Sequence, residues 1–163
     1  MKSRLVQSVL GRRAKARSAV LAIVVGAVVF TFPSASRADG DQFLDFCSGS
    51  NVSCQNGAQV WEVIGEDKCK VEPVSNTEVC IDYDSDTVYV LDGDADGNSA
   101  LGTVYNDTFG SVMYRICRNK YGQATWVKCN FNWVENDNHT VYGGVRYTNS
   151  SFSIDPLWEF ENN

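Results

Sequence analysis

The chain contains a single histidine, no Cys-x-x-Cys pair and, beyond its first 38 residues, no long stretch with apolar residues at helical spacing. Each absence removes a class of protein. With only His139 beside its cysteines, a zinc site lacks a ligand set and a thioredoxin-like redox centre lacks its motif. Without helical periodicity, a helix bundle has no amphipathic faces to pack. Bases are scarce as well. Residues 39–163 hold all 20 acids but only 7 of the 14 lysines and arginines, a formal charge of −13. Such a surface repels phosphate backbones and anionic headgroups, so nucleic acid and membrane partners are not expected, whereas cations or a basic protein face are attracted. The same charge keeps an exported protein in solution. No internal repeat or low-complexity linker divides this part, which has the length of one domain.

What is present begins with a basic leader. Lys2, Arg4, Arg12, Arg13, Lys15 and Arg17 have no acid among them, and Ser18 to Phe32 then run without a charge. That run suits the apolar part of an export signal and is short for a comfortable membrane span. Small residues at Ser36 and Ala38 place the signal peptidase cut after Ala38, which predicts a signal peptide of residues 1–38 and a secreted domain of residues 39–163. The competing reading is a retained anchor that tethers the domain outside the cell. Arg12-Arg13 lacks the flanking pattern of a twin-arginine route. A long basic leader of this kind fits a Gram-positive secretor.

Six cysteines follow the predicted cut, and an even number in an exported chain reads as three disulfides. Neighbour pairing is expected: Cys47–Cys54, Cys69–Cys80 and Cys117–Cys129. The segments SVMYRICRN and ATWVKCNFNW, joined by a turn at Lys120 to Gln123, read as a hairpin with Cys117 opposite Cys129. Cys47–Cys54 closes so short a loop that it would pin local structure only.

The expected fold is all-β, a small disulfide-stapled antiparallel β-sandwich or partly closed barrel, because short β-branched and aromatic runs alternate with turn signals. Residues 39–59 read as a loop with a helical turn at DQFLDF. Strands are expected at QVWEVIG (Gln59 to Gly65), EVCIDYDSDTVYVL (Glu78 to Leu91), Ala100 to Tyr105, the two hairpin segments, His139 to Thr148 and Ser151 to Ile154. Gly143-Gly144 marks a bend or bulge. In the second of these runs Asp82, Asp84 and Asp86 alternate and would share one wet face. In ATWVKCNFNW, Val127, Cys129, Phe131 and Trp133 form the core face by composition. Trp126 and Lys128 then lie on the outer one, where Trp126 covers a sheet edge or binds a ligand.

The sharpest local pattern is Asp92-Gly-Asp94-Ala-Asp96-Gly97-Asn98. Oxygen ligands at alternating positions with a glycine after the third resemble the first half of an EF-hand loop, so Asp92, Asp94, Asp96 and Asn98 are the candidate calcium ligands. Thr103 stands where the bidentate glutamate belongs, and the flanks read as strands. An Asp/Gly-rich hairpin turn explains the same residues without a metal. Gly97-Asn98-Ser99-Ala100-Leu101 approaches a serine elbow but ends in leucine, and His139 sits in a polar stretch that reads as a solvated loop. Glu62, Glu78 and Glu135 are the acids a glycosidase would draw on. Sequons begin at Asn51, Asn106, Asn138 and Asn149; in a eukaryotic secretor they would mark exposed turns, and in a bacterial one, as the leader suggests, they are incidental to loops rich in Asn, Ser and Thr.

The segments Val88-Tyr-Val90, Ala95-Asp-Gly97-Asn-Ser99-Ala100, Cys117-Arg-Asn119 and Gly122-Gln-Ala-Thr-Trp126-Val-Lys-Cys129-Asn130 together resemble small secreted β-rich proteins of actinobacteria. The likeness runs over residues 88–130, about a third of the chain beyond the leader. It implies export and fold and supplies no catalytic residue.

The functional expectation is an extracellular binding or inhibitory domain that meets a protein with a basic face through rigid loops. The turn Asp92–Asn98 and the loop Glu135–His139, with Trp126 and Lys128, are the expected contacts. A structural, cell-surface or spore-associated role and an extracellular hydrolase are the alternatives.

Overall fold

The computed structural model describes residues 43–106 and 112–161; the leader, its cleavage site and the threonine of the Asn106 sequon lie outside the described residues. After a 3-10 turn, η1 (Asp45–Ser48), come ten strands: β1 (Val52–Asn56), β2 (Ala58–Val60), β3 (Lys68–Glu72), β4 (Thr77–Asp82), β5 (Thr87–Asp92), β6 (Ser99–Asn106), β7 (Tyr114–Asn119), β8 (Thr125–Asn130), β9 (Asn138–Thr148) and β10 (Ser151–Glu161). They form two five-stranded sheets, ordered β1-β7-β6-β9-β10 and β2-β8-β5-β4-β3. The domain is a disulfide-stapled β-sandwich with all three neighbour pairings made. Among the described residues, no helix is long and apolar enough to cross a membrane.

The inner faces follow from alternation. Val79 and Ile81 of β4, Val88 and Val90 of β5, and Val127 and Cys129 of β8 point inward against Ala100, Val104, Cys117 and Val141 of the first sheet. Gly102 lets the sheets approach here, since a Cβ on it would stand 2.6 Å from a Val90 methyl carbon. A second apolar cluster lies on the outer face of the first sheet, where Phe43 and Leu44 cover Leu101 and Ile116. The Cys47–Cys54 bridge joins this covering segment to β1.

Several expectations change. β1 lies inside the stretch read as a loop and pairs in parallel with β7, so the sandwich is not wholly antiparallel. β7 and β8 do not form a hairpin. They belong to different sheets, and Cys117–Cys129 is a bridge through the core. The reason is Asn119, fully buried at the end of β7. Its amide donates to the Val90 carbonyl at 3.1 Å and to the Thr125 carbonyl at 2.6 Å, which draws the chain across to the other sheet.

The run Glu78 to Leu91 is itself a hairpin, turning at residues 83–86 with Asp86 at φ 52°. Asp82, Asp84 and Asp86 therefore share no strand face: Asp82 accepts the Ser85 N–H, and Asp86 accepts the Trp133 N–H. QVWEVIG is strand only to Val60, β3 was not foreseen, and β10 continues seven residues past Ile154. Gly143 and Gly144 lie in regular register; the pair's two irregularities fall between Ser151 and Phe152 and between Pro156 and Trp158. Gly144 serves close approach instead, since a Cβ there would meet the Ser153 carbonyl oxygen at 2.0 Å. Pro156 fits because β10 is an edge strand, and Lys70 of β3 donates to the Leu157 carbonyl at 2.9 Å.

Candidate functional site

β2 and β3 occupy opposite edges of the second sheet, so residues 61–67 must cross its outer face. Three hydrogen bonds hold this strap down. The Tyr89 hydroxyl donates to the Ile64 carbonyl at 2.8 Å, the Asp67 N–H donates to the Ile81 carbonyl at 2.8 Å, and the Tyr83 N–H donates to Asp67 Oδ2 at 2.7 Å. Gly65 turns the strap at φ 79°. Tyr89 is thereby buried although it points outward from β5. That burial, together with the charges of Asp82 and Glu66, raises its phenol pKa. The hydroxyl stays a donor at neutral pH.

The strap presents what it does not bury. Trp61 is 98 % exposed and Ile64 67 % exposed. Beneath them Val60, Glu62, Tyr89 and Lys128 line a concavity of about 490 Å³. Lys128 lies opposite both Tyr89 and Ala58 in the sheet, and in the next row Trp126 lies opposite Leu91 and Val60. The outer placement of Trp126 beside Lys128 is as read from the alternation, with Val127 and Cys129 buried. Trp61 was absorbed into a strand by the sequence reading. Its signal was there: an apolar residue with Glu62 beside it, ahead of Gly65.

At the far end of β5 the acidic segment leads into β6, but the two strands lie in different sheets, so it is a connection between sheets and not the hairpin turn its Asp and Gly residues suggest. It faces the β7–β8 connection across a cleft of about 360 Å³ lined by Asp92, Asp94, Asn98, Lys120, Tyr121 and Gln123. Asp92 is 3 % exposed. Its Oδ1 accepts the Asp94 N–H at 3.3 Å, while its buried Oδ2 meets no hydrogen-bond partner. Burial first, then the charges of Asp96 and Asp94, push the Asp92 carboxyl above its ordinary value, against the pull of that N–H. Asp94 Oδ1 accepts from the Asn76 amide at 2.8 Å. Asp96 stands apart from the cleft lining and holds Asn98 through its backbone N–H at 2.8 Å and its amide at 2.7 Å.

His139 corrects the sequence reading most sharply. It is fully buried on β9, stacked on Phe160 at 4.7 Å and beside Trp133, not solvated in a loop. Neither ring nitrogen has a partner of good geometry, and desolvation lowers its pKa against the opposing influence of Asp137. Glu135 is exposed in the preceding loop. Trp126 and Lys128 thus share one surface, while His139 belongs to the core at a different concavity, with Tyr105 and Glu159. The Asn106 sequon does not mark an exposed turn: Asn106 is fully buried, its amide on Asp137 and its carbonyl accepting from Arg115.

The structure disperses the remaining candidates. Ser99 Oγ accepts from Arg118 at 3.0 Å. Glu62 lies on the strap, Glu78 on β4 and Glu135 in the β8–β9 loop. Cys69, Glu78 and Cys80 have ligand atoms within 4.8 Å of one another, but Cys69 and Cys80 are spent in their disulfide. One buried acid was missed. Glu72 accepts the Val74 and Ser75 N–H groups at 2.9 and 2.7 Å and the Ser75 hydroxyl at 2.5 Å. Burial works to raise its pKa, and these donors more than offset it, so the carboxyl lies below its ordinary value.

No protein-family model matches the chain, and neither a curated protein nor a solved structure is significantly similar to it.

Proposed function

We propose that residues 39–163 act outside the cytoplasm as a binding domain whose contact face is the strap over the second sheet. The partner is a protein with an apolar pocket ringed by basic side chains. Export is supported by the leader in the sequence and by three disulfides, which persist in oxidising compartments. The single observation that carries the reading is Trp61, an indole held 98 % exposed on a hydrogen-bonded scaffold.

A side chain so apolar gains nothing from water, and tryptophan is the residue type most enriched among binding hot spots. Its immediate neighbours set the partner's sign. Glu62 and Glu66 flank Ile64 on the strap, Asp67 ends it, and the surrounding domain carries −13. Opposite charge around an apolar anchor speeds encounter and fixes orientation. The strap is also pre-ordered by Tyr89, so docking need not pay the entropy of arranging a loose loop.

The test passes the basic proteins of the producing organism's medium over the immobilised oxidised protein and measures the purified partner's affinity. Trp61→Ala weakens binding by ~30-fold or more, and the pair Glu62→Lys with Glu66→Lys slows association most at low salt. If no basic protein is retained, or if the retained partner binds W61A as tightly as the parent, the reading is wrong.

A further inference from the structure

We propose that the end of β10, residues 158–161, is a clasp that protonation of His139 releases. The proposal concerns conformations of this chain and stands whether or not the strap has a partner. His139 on β9 lies directly opposite Phe160 on β10, and the two rings stack at 4.7 Å and 12°. The imidazole is fully buried, and neither ring nitrogen has a hydrogen-bond partner of good geometry. Phe160 also lies 4.5 Å from the Tyr83 ring, and the Trp158 Nε1–H donates to the Tyr83 hydroxyl at 3.0 Å. The clasp thus closes over His139 and over the turn between β4 and β5.

The closed arrangement suits a neutral ring. An imidazolium carries two N–H donors that need acceptors, and here aromatic rings surround it. The π face of Phe160 returns only part of the hydration that the cation loses. The Trp133 indole N–H beside it, also without a partner, is another donor. Arg115 of β7 is a second buried cation, held by the Asn106 side chain and the Asn132 and Val112 carbonyls. Burial lowers the His139 pKa against the pull of Asp137 and Glu135 in the loop before β9, and Arg115 adds to the fall. On the solvent side, Tyr105 of β6 and Glu159 and Glu161 of β10 line a concavity of about 240 Å³ that His139 also borders. Opening the clasp hydrates the charged ring. Asp86, which accepts the Trp133 N–H, is the rival titrating group, because burial pushes its carboxyl up.

The position of the clasp makes its release local. β10 is an edge strand paired with β9. Its register breaks between Pro156 and Trp158, and Pro156 has no N–H to give the ladder, so the segment beyond is a separable length of strand. Release also strips Tyr83 of Trp158 and Phe160. The Tyr83 backbone N–H holds Asp67 at the end of the strap, so that attachment loosens with the clasp.

The experiment follows amide exchange by NMR on the full oxidised chain across acid pH, with and without low denaturant. After correction for intrinsic rates, exchange at residues 158–161 accelerates by up to about tenfold per pH unit below roughly 6.5, because opening takes up one proton. It stays faster than exchange in β5 and insensitive to low denaturant, the marks of local opening. The Tyr83 amide accelerates in step. His139 is the chain's only histidine, so its imidazole signal is unambiguous, and it charges as the clasp loses protection. His139→Phe keeps an aromatic ring in the stack and abolishes the acid response. Should that variant fail to fold, His139→Leu replaces it, and the imidazole titration of the parent decides alone if both fail. An imidazole that charges while the clasp stays protected overturns the proposal. So does exchange at residues 158–161 that occurs only together with that of β5, or an acid response that survives in H139F, which would assign the titration to Asp86. A clasp that opens while the Tyr83 amide stays protected overturns its link to the strap.

Discussion

The hydroxyl of Tyr89 donates to the carbonyl of Ile64 at 2.8 Å, and this one bond joins the centre of the second sheet to the strap that crosses it. Removing it tests whether the strap is pre-ordered. Tyr89→Phe keeps the ring in place and forfeits the bond, at a cost of about 1 kcal/mol in global stability. Amide exchange rises at residues 61–66 while that of β4 and β5 stays slow, as hydrogen-exchange mass spectrometry will read. Unchanged exchange along the strap would show that other contacts hold it.

The three disulfides are predicted to contribute unequally. Cys117–Cys129 closes the longest sequence separation, 12 residues, and spans the core, whereas Cys47–Cys54 closes 7 on the first sheet's outer face. Replacing Cys117 and Cys129 with alanine costs roughly 3–5 kcal/mol, the upper part of the range for a native bridge, with the lost packing of buried sulfur included. The Cys47 and Cys54 pair costs less, about 1–3 kcal/mol. Denaturant titration of the two double variants gives the comparison directly.

His139 makes the fold sensitive to mild acid. Its pKa is lowered in the folded state, so the unfolded chain binds its proton more readily. The stability associated with the neutral ring is therefore complete above the unfolded value, near 6.5, and is lost as pH falls through that value toward the lower folded one. Asp137 and Glu135 work against the shift and Arg115 works with it. His139→Phe flattens the pH dependence of melting between about pH 7 and 5, and an unaltered slope would place the titration elsewhere.

Glu72 has the same sense at a lower pH. Its carboxylate is held charged by Ser75 and Val74, so its contribution is present above the ordinary glutamate value and is lost as pH falls through the lowered folded value. Glu72→Gln costs about 1–3 kcal/mol at neutral pH, because an amide nitrogen cannot accept from the donors that face it. The difference between the two chains shrinks as pH falls through the lowered folded value, where the glutamate too becomes neutral. Melting curves over an acid pH series measure it.

The core faces were legible because alternation is local: Val127, Cys129, Phe131 and Trp133 are inward as their composition requires. So were the disulfide pairs, since each joins cysteines close in sequence. What stayed hidden depended on contacts distant in sequence. A turn at Lys120–Gln123 looks the same whether it closes a hairpin or passes between sheets, and the decision rests on Asn119 reaching Val90. His139 sits in a polar stretch, yet Phe160 and Trp133 arrive over it from other elements. Trp61 looked like strand because nothing local reveals that β2 and β3 lie on opposite edges. The acidic segment looked like a hairpin turn, yet it passes from one sheet to the other, and burial, which the sequence does not reveal, distinguishes Asp92 from its neighbours.

The most direct test of the binding face is a hydrogen-exchange footprint of the protein with its captured partner. Protection is predicted over residues 58–67 and on β8 around Lys128, with the acidic turn and the Glu135 loop unchanged. Protection confined to residues 92–98 or 134–138, with the strap exchanging as in the free protein, would contradict the assignment of Trp61 as the anchor.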